Sequence, residues 1–168
     1  SDCDENNGGC DTLTKCSISG SKRVCGGCPT GYAGTGDQGC KPRLTGLSPS
    51  DGTLEPAFDP NVDTYRLRVP LLVQRVVFMP TAPTGSTVSL NGTALDPAGT
   101  WTAPVLRLNE PTKIDLRVTS SFGVSTPYTV TIERTGSQQS YIKSSNSDAG
   151  DQFGFWADLS GDTLLVTA

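Results

Sequence analysis

The six cysteines are the residues of this 168-residue chain whose type and spacing bear most directly on chemistry. They all lie within the first 40 residues, at Cys3, Cys10, Cys16, Cys25, Cys28 and Cys40. A segment of about 40 residues buries too little apolar surface to fold by itself, and three disulfides would compensate, each contributing roughly 3 kcal/mol by closing a loop of about 15 residues. Because such bonds persist in an oxidising compartment, the cysteines predict an extracellular, secreted or cell-surface location.

Two other uses of cysteine fit part of the same spacing. Cys25 and Cys28 are separated by two glycines, as in redox-active pairs and in half of a zinc site. A four-cysteine zinc site would leave two thiols over, and no βαβ pattern surrounds the pair, as it does in a thioredoxin-type redox motif. Disulfides are therefore the favoured interpretation. Six cysteines allow 15 pairings, and spacing alone does not choose among them.

Two segments around these cysteines carry a resemblance to a known family, namely Asn7-Gly8-Gly9-Cys10 and Cys28-Pro29-Thr30-Gly31-Tyr32-Ala33-Gly34-Thr35-Gly36-Asp37-Gln38-Gly39-Cys40. They resemble an EGF-like module, whose most specific feature is the Gly-Tyr-x-Gly-x-Gly pattern before the last cysteine. The resemblance implies that the first cysteine pairs with the third, the second with the fourth and the fifth with the sixth. The implied disulfides are Cys3–Cys16, Cys10–Cys25 and Cys28–Cys40.

Calcium is the cofactor that some EGF-like modules bind, through acidic residues near the first cysteine together with an Asn and an aromatic residue further on. Asp2, Asp4 and Glu5 supply the hard oxygen ligands that calcium prefers. The interval between Cys16 and Cys25, however, contains neither an Asn nor an aromatic residue. We therefore expect no cofactor, with calcium bound weakly or not at all.

No combination of side chains predicts catalysis. The sequence contains no histidine, which removes the commonest general base and the commonest metal ligand. The serines and threonines then have no evident base to activate them, and carboxylate pairs such as Asp59 and Asp63 lie in turn segments, where Asp is common. We expect a protein that is not an enzyme.

Charge and hydropathy exclude two kinds of partner. The net charge is −4 and the sequence has no basic stripe, so we expect no nucleic-acid partner. No apolar run approaches the roughly 20 residues of a membrane-spanning helix, so we expect no membrane insertion in this segment.

The body of the protein, residues 44–134, must position these groups, and it contains no cysteine. Its apolar residues alternate with polar ones in short runs, which places one face of each run in a core and the other in water, as in an antiparallel sheet. About 90 residues bury one core, and several short strands at regular spacing predict a β-sandwich. Asn91-Gly92 predicts a two-residue hairpin turn. The predicted strands are 44–47, 64–69, 76–79, 87–90, 105–108, 113–119 and 128–134.

Three segments of this body carry a second resemblance, namely Leu47-Ser48-Pro49-Ser50-Asp51-Gly52-Thr53-Leu54-Glu55-Pro56-Ala57-Phe58-Asp59-Pro60 followed by Tyr65, Val88-Ser89-Leu90-Asn91-Gly92-Thr93 and Tyr128-Thr129-Val130-Thr131-Ile132-Glu133-Arg134. They resemble the bacterial cadherin-like β-sandwich domain. The resemblance implies a secreted, immunoglobulin-like spacer or binding module without catalytic residues.

Five aromatic side chains of the body could form a platform for a carbohydrate, but at strand and strand-end positions such residues more often belong to a core. They are Phe58, Tyr65, Phe78, Trp101 and Tyr128. Trp101 differs from the others because its segment is rich in Gly, Thr, Ala and Pro. It is the candidate ligand-binding residue.

The last segment of the sequence carries a third resemblance. After a polar linker at 135–140, the pair Phe153-Gly154 and the stretch from Leu159 to Ala168 closely resemble an FG-GAP repeat, the blade unit of integrin-α-type β-propellers. A blade has four strands and residues 141–168 hold about two, which predicts a partial, truncated blade. The expected organisation is all-β, with an EGF-like disulfide module at 1–43, a cadherin-like β-sandwich at 44–134 and the partial FG-GAP repeat at 141–168.

Together these features favour a non-catalytic, extracellular modular protein that serves in adhesion or ligand recognition at a bacterial cell surface. Its partner would be a protein or carbohydrate surface ligand. The alternative is a set of ancillary or spacer modules of a larger secreted enzyme whose catalytic domain lies beyond Ala168. More Phe-Gly blades after Ala168 would support adhesion, and a domain rich in histidine or carboxylates would support the enzyme.

Overall fold

The computed structural model describes residues 3–95, 99–135, 157–160 and 163–166. The protein divides into two compact units, Ser1–Gly136 and Ser137–Ala168. The described residues form one 3₁₀ turn, at Asn6–Gly9, and fifteen strands, so the prediction of an all-β protein is confirmed. In the second unit they form a single antiparallel hairpin, and most residues of the predicted FG-GAP repeat lie outside the described part.

Two small hairpins follow the 3₁₀ turn in the described part of the disulfide module, residues 3–43. Strands β1 (Cys16–Ser19) and β2 (Lys22–Cys25) pair with each other, as do β3 (Tyr32–Thr35) and β4 (Gly39–Pro42). Two disulfides tie the segment before β1 to the first hairpin, and the third ties the segment before β3 to β4, with Cα atoms 5.5 to 5.6 Å apart, which is the usual span of such a bond. The pairs are Cys3–Cys16, Cys10–Cys25 and Cys28–Cys40, the same ones that the EGF-like resemblance implies.

The glycines before the last cysteine allow close backbone contacts. Gly34 has a φ of +113°, and a Cβ at this position would collide with the carbonyl oxygen of Gly39 in the facing strand. A Cβ at Gly36 would collide in the same way with the carbonyl oxygen of Gly26. Any larger residue at either position would therefore push apart segments that the disulfides hold together.

The sandwich consists of two sheets that face each other. Its strands are β5 (Gly46–Pro49), β6 (Thr53–Glu55), β7 (Thr64–Val69), β8 (Val77–Thr81), β9 (Thr87–Leu90), β10 (Thr93–Leu95), β11 (Trp101–Thr102), β12 (Thr112–Thr119) and β13 (Ser125–Arg134). One sheet has the order β10-β9-β12-β13-β7-β6 and the other β11-β8-β5. The pair β13–β7 is parallel and the other pairs are antiparallel. The remaining strands, β14 (Ala157–Ser160) and β15 (Thr163–Val166), form the hairpin of the second unit.

Alternation along the strands builds the core between the sheets. In β7 the side chains of Tyr65, Leu67 and Val69 are buried, and those between them are exposed. Each fully buried residue of this size contributes roughly 1.5–3 kcal/mol, so the inward row is the main source of stability. The predicted strands 64–69 and 87–90 have the predicted bounds, and the hairpin turn at Asn91-Gly92 is confirmed, with φ values of +47° and +81°.

One predicted strand is wrong. Residues 105–108 form no strand, because their backbone groups bond to other partners: the Leu106 N–H donates to the Gln74 carbonyl (2.9 Å) and the Leu106 carbonyl accepts from the Arg134 guanidinium (3.0 Å). Burial does not alternate either, since Leu106 is buried while Val105 and Leu108 are exposed. The short strand of this region is β11, which contains Trp101.

Two prolines lie inside strands, but only where the strand has one partner among the described residues. Pro80 of β8 pairs with Leu47, while β11 on the other side of β8 reaches only Val77 and Phe78. Pro127 of β13 pairs with β12 at a point before the parallel pairing with β7 begins. In each case the missing N–H falls on the unpaired side, so no ladder hydrogen bond is lost.

Contacts between the disulfide module and the sandwich fix the junction around Arg43 and Leu44. The Arg43 N–H donates to the Gly31 carbonyl (2.8 Å), and the Leu44 N–H donates to the Tyr128 hydroxyl (3.1 Å). Gly31, with a φ of +85°, lies so close to Pro83 that a Cβ would be 2.5 Å from the proline Cγ. Residues 1–43 and the sandwich therefore belong to one compact unit, although different interactions stabilise each of them.

Replacing Gly31 by Ala should test this junction. The new Cβ adds backbone strain of about 1–2 kcal/mol at positive φ and a clash with Pro83 of roughly 1–3 kcal/mol. Gly20→Ala is the matched control, because Gly20 also has positive φ (+64°) but has no atom within 4 Å of the added Cβ. Urea unfolding should show a larger decrease in the free energy of unfolding for Gly31→Ala than for Gly20→Ala. Equal decreases would contradict a packed junction.

Candidate ligand-binding face

The outer face of the six-stranded sheet carries the exposed side chains that alternate with the core residues of its strands. Alternation in β12 directs Asp115 and Arg117 to this face. The register places Arg117 between Ser89 of β9 and Pro127 of β13, and it places Asp115 opposite Thr129. Groups from three strands therefore lie side by side, at a strand spacing of about 4.8 Å.

These residues line an open groove of about 700 Å³. Its full lining is Ser89, Asn91, Gly92, Asp115, Leu116, Arg117, Pro127, Tyr128 and Thr129. The side chains of Leu116 and Tyr128 point into the core, so the polar side chains and the proline ring form the surface that a ligand would meet.

The groove offers one guanidinium, one carboxylate, an amide and two hydroxyls. Arg117 donates to the Ser125 hydroxyl (3.1 Å), and among the described residues it has no carboxylate partner. Asp115 forms an ion pair with Lys113 (3.0 Å). The side-chain oxygen of Asn91 accepts the Asp115 N–H (2.9 Å), which fixes the turn against β12. Because guanidinium groups bind carboxylates in a fork, this arrangement suits a ligand with a carboxylate beside hydroxyl or amide groups.

A family model supplies the relationship of the sandwich to known proteins. The model of the cadherin-like beta sandwich domain matches residues 43–135, which is more than half of the sequence. The protein belongs to the cadherin-like β-sandwich family. Neither the curated proteins nor the solved structures contain a significant match.

The family and the disulfides agree with an extracellular module of the adhesion type, and cadherin-like domains are typically non-catalytic. Within the part of the protein that the structure describes, no helix has the length and apolar character that crossing a membrane requires.

The other half of the same face of the cadherin-like domain carries charges that neutralise one another. Glu133 forms ion pairs with Arg66 (3.1 Å) and Arg68 (3.6 Å), and Arg68 also pairs with Glu55 (3.1 Å). Exposed pairs of this kind contribute at most about 1 kcal/mol each to stability. Their importance here is that they leave no unneutralised charge for a ligand, in contrast to Arg117.

A smaller cavity of about 290 Å³ lies beside Tyr65 in the cadherin-like domain, lined by Glu55, Thr64, Tyr65, Arg66 and Thr131. The Tyr65 ring stacks on Phe58, with ring centroids 6.1 Å apart, and its hydroxyl donates to the Asp59 carbonyl (2.6 Å). Burial raises the pKa of Tyr65, and the hydrogen bond to the Asp59 backbone opposes part of this rise. The hydroxyl thus anchors the loop before β7, and it is not poised for proton transfer.

Trp101, the ligand-binding candidate from the sequence, lies in β11 at the edge of the smaller sheet. It is half-buried and packs against the core, with its ring 6.4 Å from that of Phe78. It is remote in sheet position from the groove, and a ligand role for it stays a prediction.

The calcium candidates lie at the start of the sequence, where Asp2 is outside the described residues. Asp4 and Glu5 are described, and the Glu5 carbonyl accepts the Gly8 N–H (2.8 Å). Among the described residues, no group of three or more His, Cys, Asp or Glu side chains could hold a metal ion. Calcium binding at Asp2, Asp4 and Glu5 stays a prediction.

Sequence reasoning missed the groove. Alternation in 113–119 does indicate that Asp115 and Arg117 face water together. Nothing in the sequence, however, shows that β9 lies beside β12, because that pairing joins residues 26 to 32 positions apart through a long-range contact.

Replacing Tyr65 by Phe should weaken the domain while keeping the buried ring. Loss of the hydrogen bond to Asp59 predicts a decrease of about 0.5–1.5 kcal/mol in the free energy of unfolding at neutral pH.

The same variant should lose part of the alkaline sensitivity of the domain. Since the folded-state pKa of Tyr65 lies above the ordinary 10.0, the folded state holds this proton more tightly, and stability falls as the pH rises above that value. Between neutral pH and about pH 11, urea titrations should therefore show a smaller decrease in the free energy of unfolding for Tyr65→Phe than for the parent protein. An identical decrease in both proteins would contradict a raised pKa of Tyr65 in the folded state.

Proposed function

We propose that this protein is a recognition segment of an extracellular, non-catalytic adhesion protein of a bacterial cell surface. In this proposal the outer-face groove of the cadherin-like domain binds a protein or carbohydrate ligand that carries a carboxylate. The observation that carries the proposal is the unneutralised guanidinium of Arg117, which lies beside Asp115 and Asn91 in an open groove.

The contrast between the two halves of the face supports this assignment. On β7, Arg66 and Arg68 lie next to Glu133 and have their charges compensated within the sheet. On β12, Arg117 lies between a serine and a proline, neither of which carries charge. An exposed guanidinium without a carboxylate retains most of its five donors for a ligand.

The remaining groups of the groove extend recognition beyond one ion pair. The hydroxyls of Ser89 and Thr129 both donate and accept hydrogen bonds, and the Asp115 carboxylate accepts them. The ring of Pro127 offers a flat apolar surface between these polar groups. A hydroxyl-rich acid, such as a uronic-acid unit, or an acidic peptide segment matches this combination.

In the same proposal the other modules support presentation of the groove. The disulfide pairing and the crowded glycines at Gly34 and Gly36 support an EGF-like module at 1–43, packed against one end of the sandwich. We propose an FG-GAP-type blade for residues 141–168, on the strength of its sequence resemblance. The alternative role as a spacer in a secreted enzyme assigns no ligand to the groove.

Binding measurements on Arg117→Ala test the proposal. The probes are glucuronate-containing oligosaccharides and, in parallel, acidic peptides, titrated into labelled protein and followed by amide chemical shifts. A hydrogen bond to a charged group contributes about 1.5–3 kcal/mol, so the variant should bind roughly 10- to 100-fold more weakly. Arg107→Ala is the matched control, because Arg107 is also exposed but pairs with Glu110 in a loop outside the groove.

The distribution of shifts provides a second criterion. They should concentrate on β9, β12 and β13, and Arg117→Ala should need a correspondingly higher ligand concentration to reach them, whereas Arg107→Ala should match the parent protein. An unchanged affinity in Arg117→Ala would overturn the site. No binding of either probe class to the parent protein would favour the spacer alternative.

A further inference from the structure

The sequence contains two Asn-Gly pairs, Asn7-Gly8 and Asn91-Gly92, and they differ sharply in environment. In such a pair the backbone nitrogen of the glycine can attack the amide carbon (Cγ) of the asparagine, because glycine has no Cβ to hinder the approach. A new bond forms between these two atoms, the bond from Cγ to the amide nitrogen Nδ2 breaks and ammonia leaves, which gives a five-membered succinimide. Water then opens the ring to aspartate or isoaspartate. The reaction consumes one water, involves no change of oxidation state and needs no enzyme.

Asn91 is arranged for this reaction. It is exposed at the tip of the β9–β10 hairpin, and Gly92 beside it is exposed, with no atom within 4 Å of the position where a Cβ would lie. The side-chain oxygen of Asn91 accepts the Asp115 N–H (2.9 Å). A donor on this oxygen stabilises the negative charge that develops when Cγ is attacked. Among the described residues, no hydrogen bond engages the Asn91 side-chain nitrogen, which is the leaving group.

The hairpin also opens at little cost. Strand β10 has three residues and lies at the edge of its sheet, where β9 is its single partner among the described strands. Local opening of such an edge breaks few hydrogen bonds, so its free energy is far below that of global unfolding. Brief opening of β10 frees the Gly92 backbone, whose nitrogen is the attacking atom, while two hydrogen bonds to Asp115 keep Asn91 in place.

Asn7 is held in the opposite way. Its side-chain oxygen also accepts a backbone N–H, that of Cys16 (3.1 Å), but its side-chain nitrogen, the leaving group, donates to the carbonyls of Asp11 (3.1 Å) and Thr14 (2.9 Å). Asn7 lies inside the loop that the disulfide Cys3–Cys16 closes, and the disulfide Cys10–Cys25 holds the residues that follow it. Attack on Asn7 would therefore require the disulfide module to lose much of its internal bonding.

We propose that Asn91 is a site of spontaneous modification, at which the folded protein converts an amide into a carboxylate. The new charge would lie in the groove next to Asp115. The isoaspartate product also adds one methylene to the backbone path of a two-residue turn, so the β9–β10 register would shift. If the proposed ligand is a carboxylate, ageing of the protein would weaken its binding, but the modification itself does not depend on that function.

Peptide mass spectrometry after incubation at mildly alkaline pH and 37 °C tests the proposal. The peptide that contains Asn91 should gain about 1 Da and yield both aspartate and isoaspartate, while the peptide that contains Asn7 stays unchanged. In the folded protein the reaction at Asn91 should exceed that at Asn7 by more than about tenfold. Asn91→Gln, whose additional methylene disfavours ring closure, should show no gain at this position.

A reduced sample in denaturant serves as the internal reference. In that sample the folded structure no longer restrains either Asn-Gly pair, so Asn7 and Asn91 should react at similar rates. The proposal is overturned if Asn91 stays intact in the folded protein over the time in which it reacts in the unfolded one. It is equally overturned if Asn7 and Asn91 react at the same rate in the folded protein.

Discussion

The two hydrogen bonds of the Tyr128 hydroxyl hold together the parts of the first compact unit: the core, the junction and a loop. The hydroxyl accepts the Leu44 N–H (3.1 Å) at the point where the backbone enters the sandwich, and it donates to the Pro60 carbonyl (3.2 Å) in the loop before β7. One buried tyrosine thus joins the core, the junction and a loop. With this point fixed, the disulfide module can pack Gly31 against Pro83, and Tyr32 can approach Ser86, with their hydroxyl oxygens 3.3 Å apart.

The strand register determines which charges of the outer face remain available. Because β13 runs parallel to β7, Glu133 lies opposite Arg68, and three strands exchange ion pairs among themselves. Because β12 lies between β9 and β13, Arg117 has Ser89 and Pro127 as neighbours and keeps its charge uncompensated. In one half of this sheet the charged side chains therefore pair with one another, and in the other half the Arg117 guanidinium has no carboxylate partner among the described residues. Pairing, rather than the number of charges, produces this difference.

Local patterns in the sequence were sufficient for the class of fold and for several elements. Period-two alternation predicts 64–69 and 87–90 with the bounds that the structure shows, and positive φ at Asn91 and Gly92 follows from their residue types. The strand predicted at 105–108 fails because Arg134, distant in sequence, binds the carbonyls of Leu71 and Leu106 and holds both loops. Local patterns could not predict the groove for the same reason, because its residues come together only when β9, β12 and β13 are known to be neighbours.

Because the junction is packed, we expect the disulfide module and the cadherin-like domain to tumble as one body. Amide ¹⁵N relaxation on the oxidised protein measures this directly, because each residue reports the rotational correlation time of the body to which it belongs. We expect a single correlation time for residues 3–43 and 44–135. A distinctly shorter time for residues 3–43 would show that the module moves independently and that the junction does not hold it.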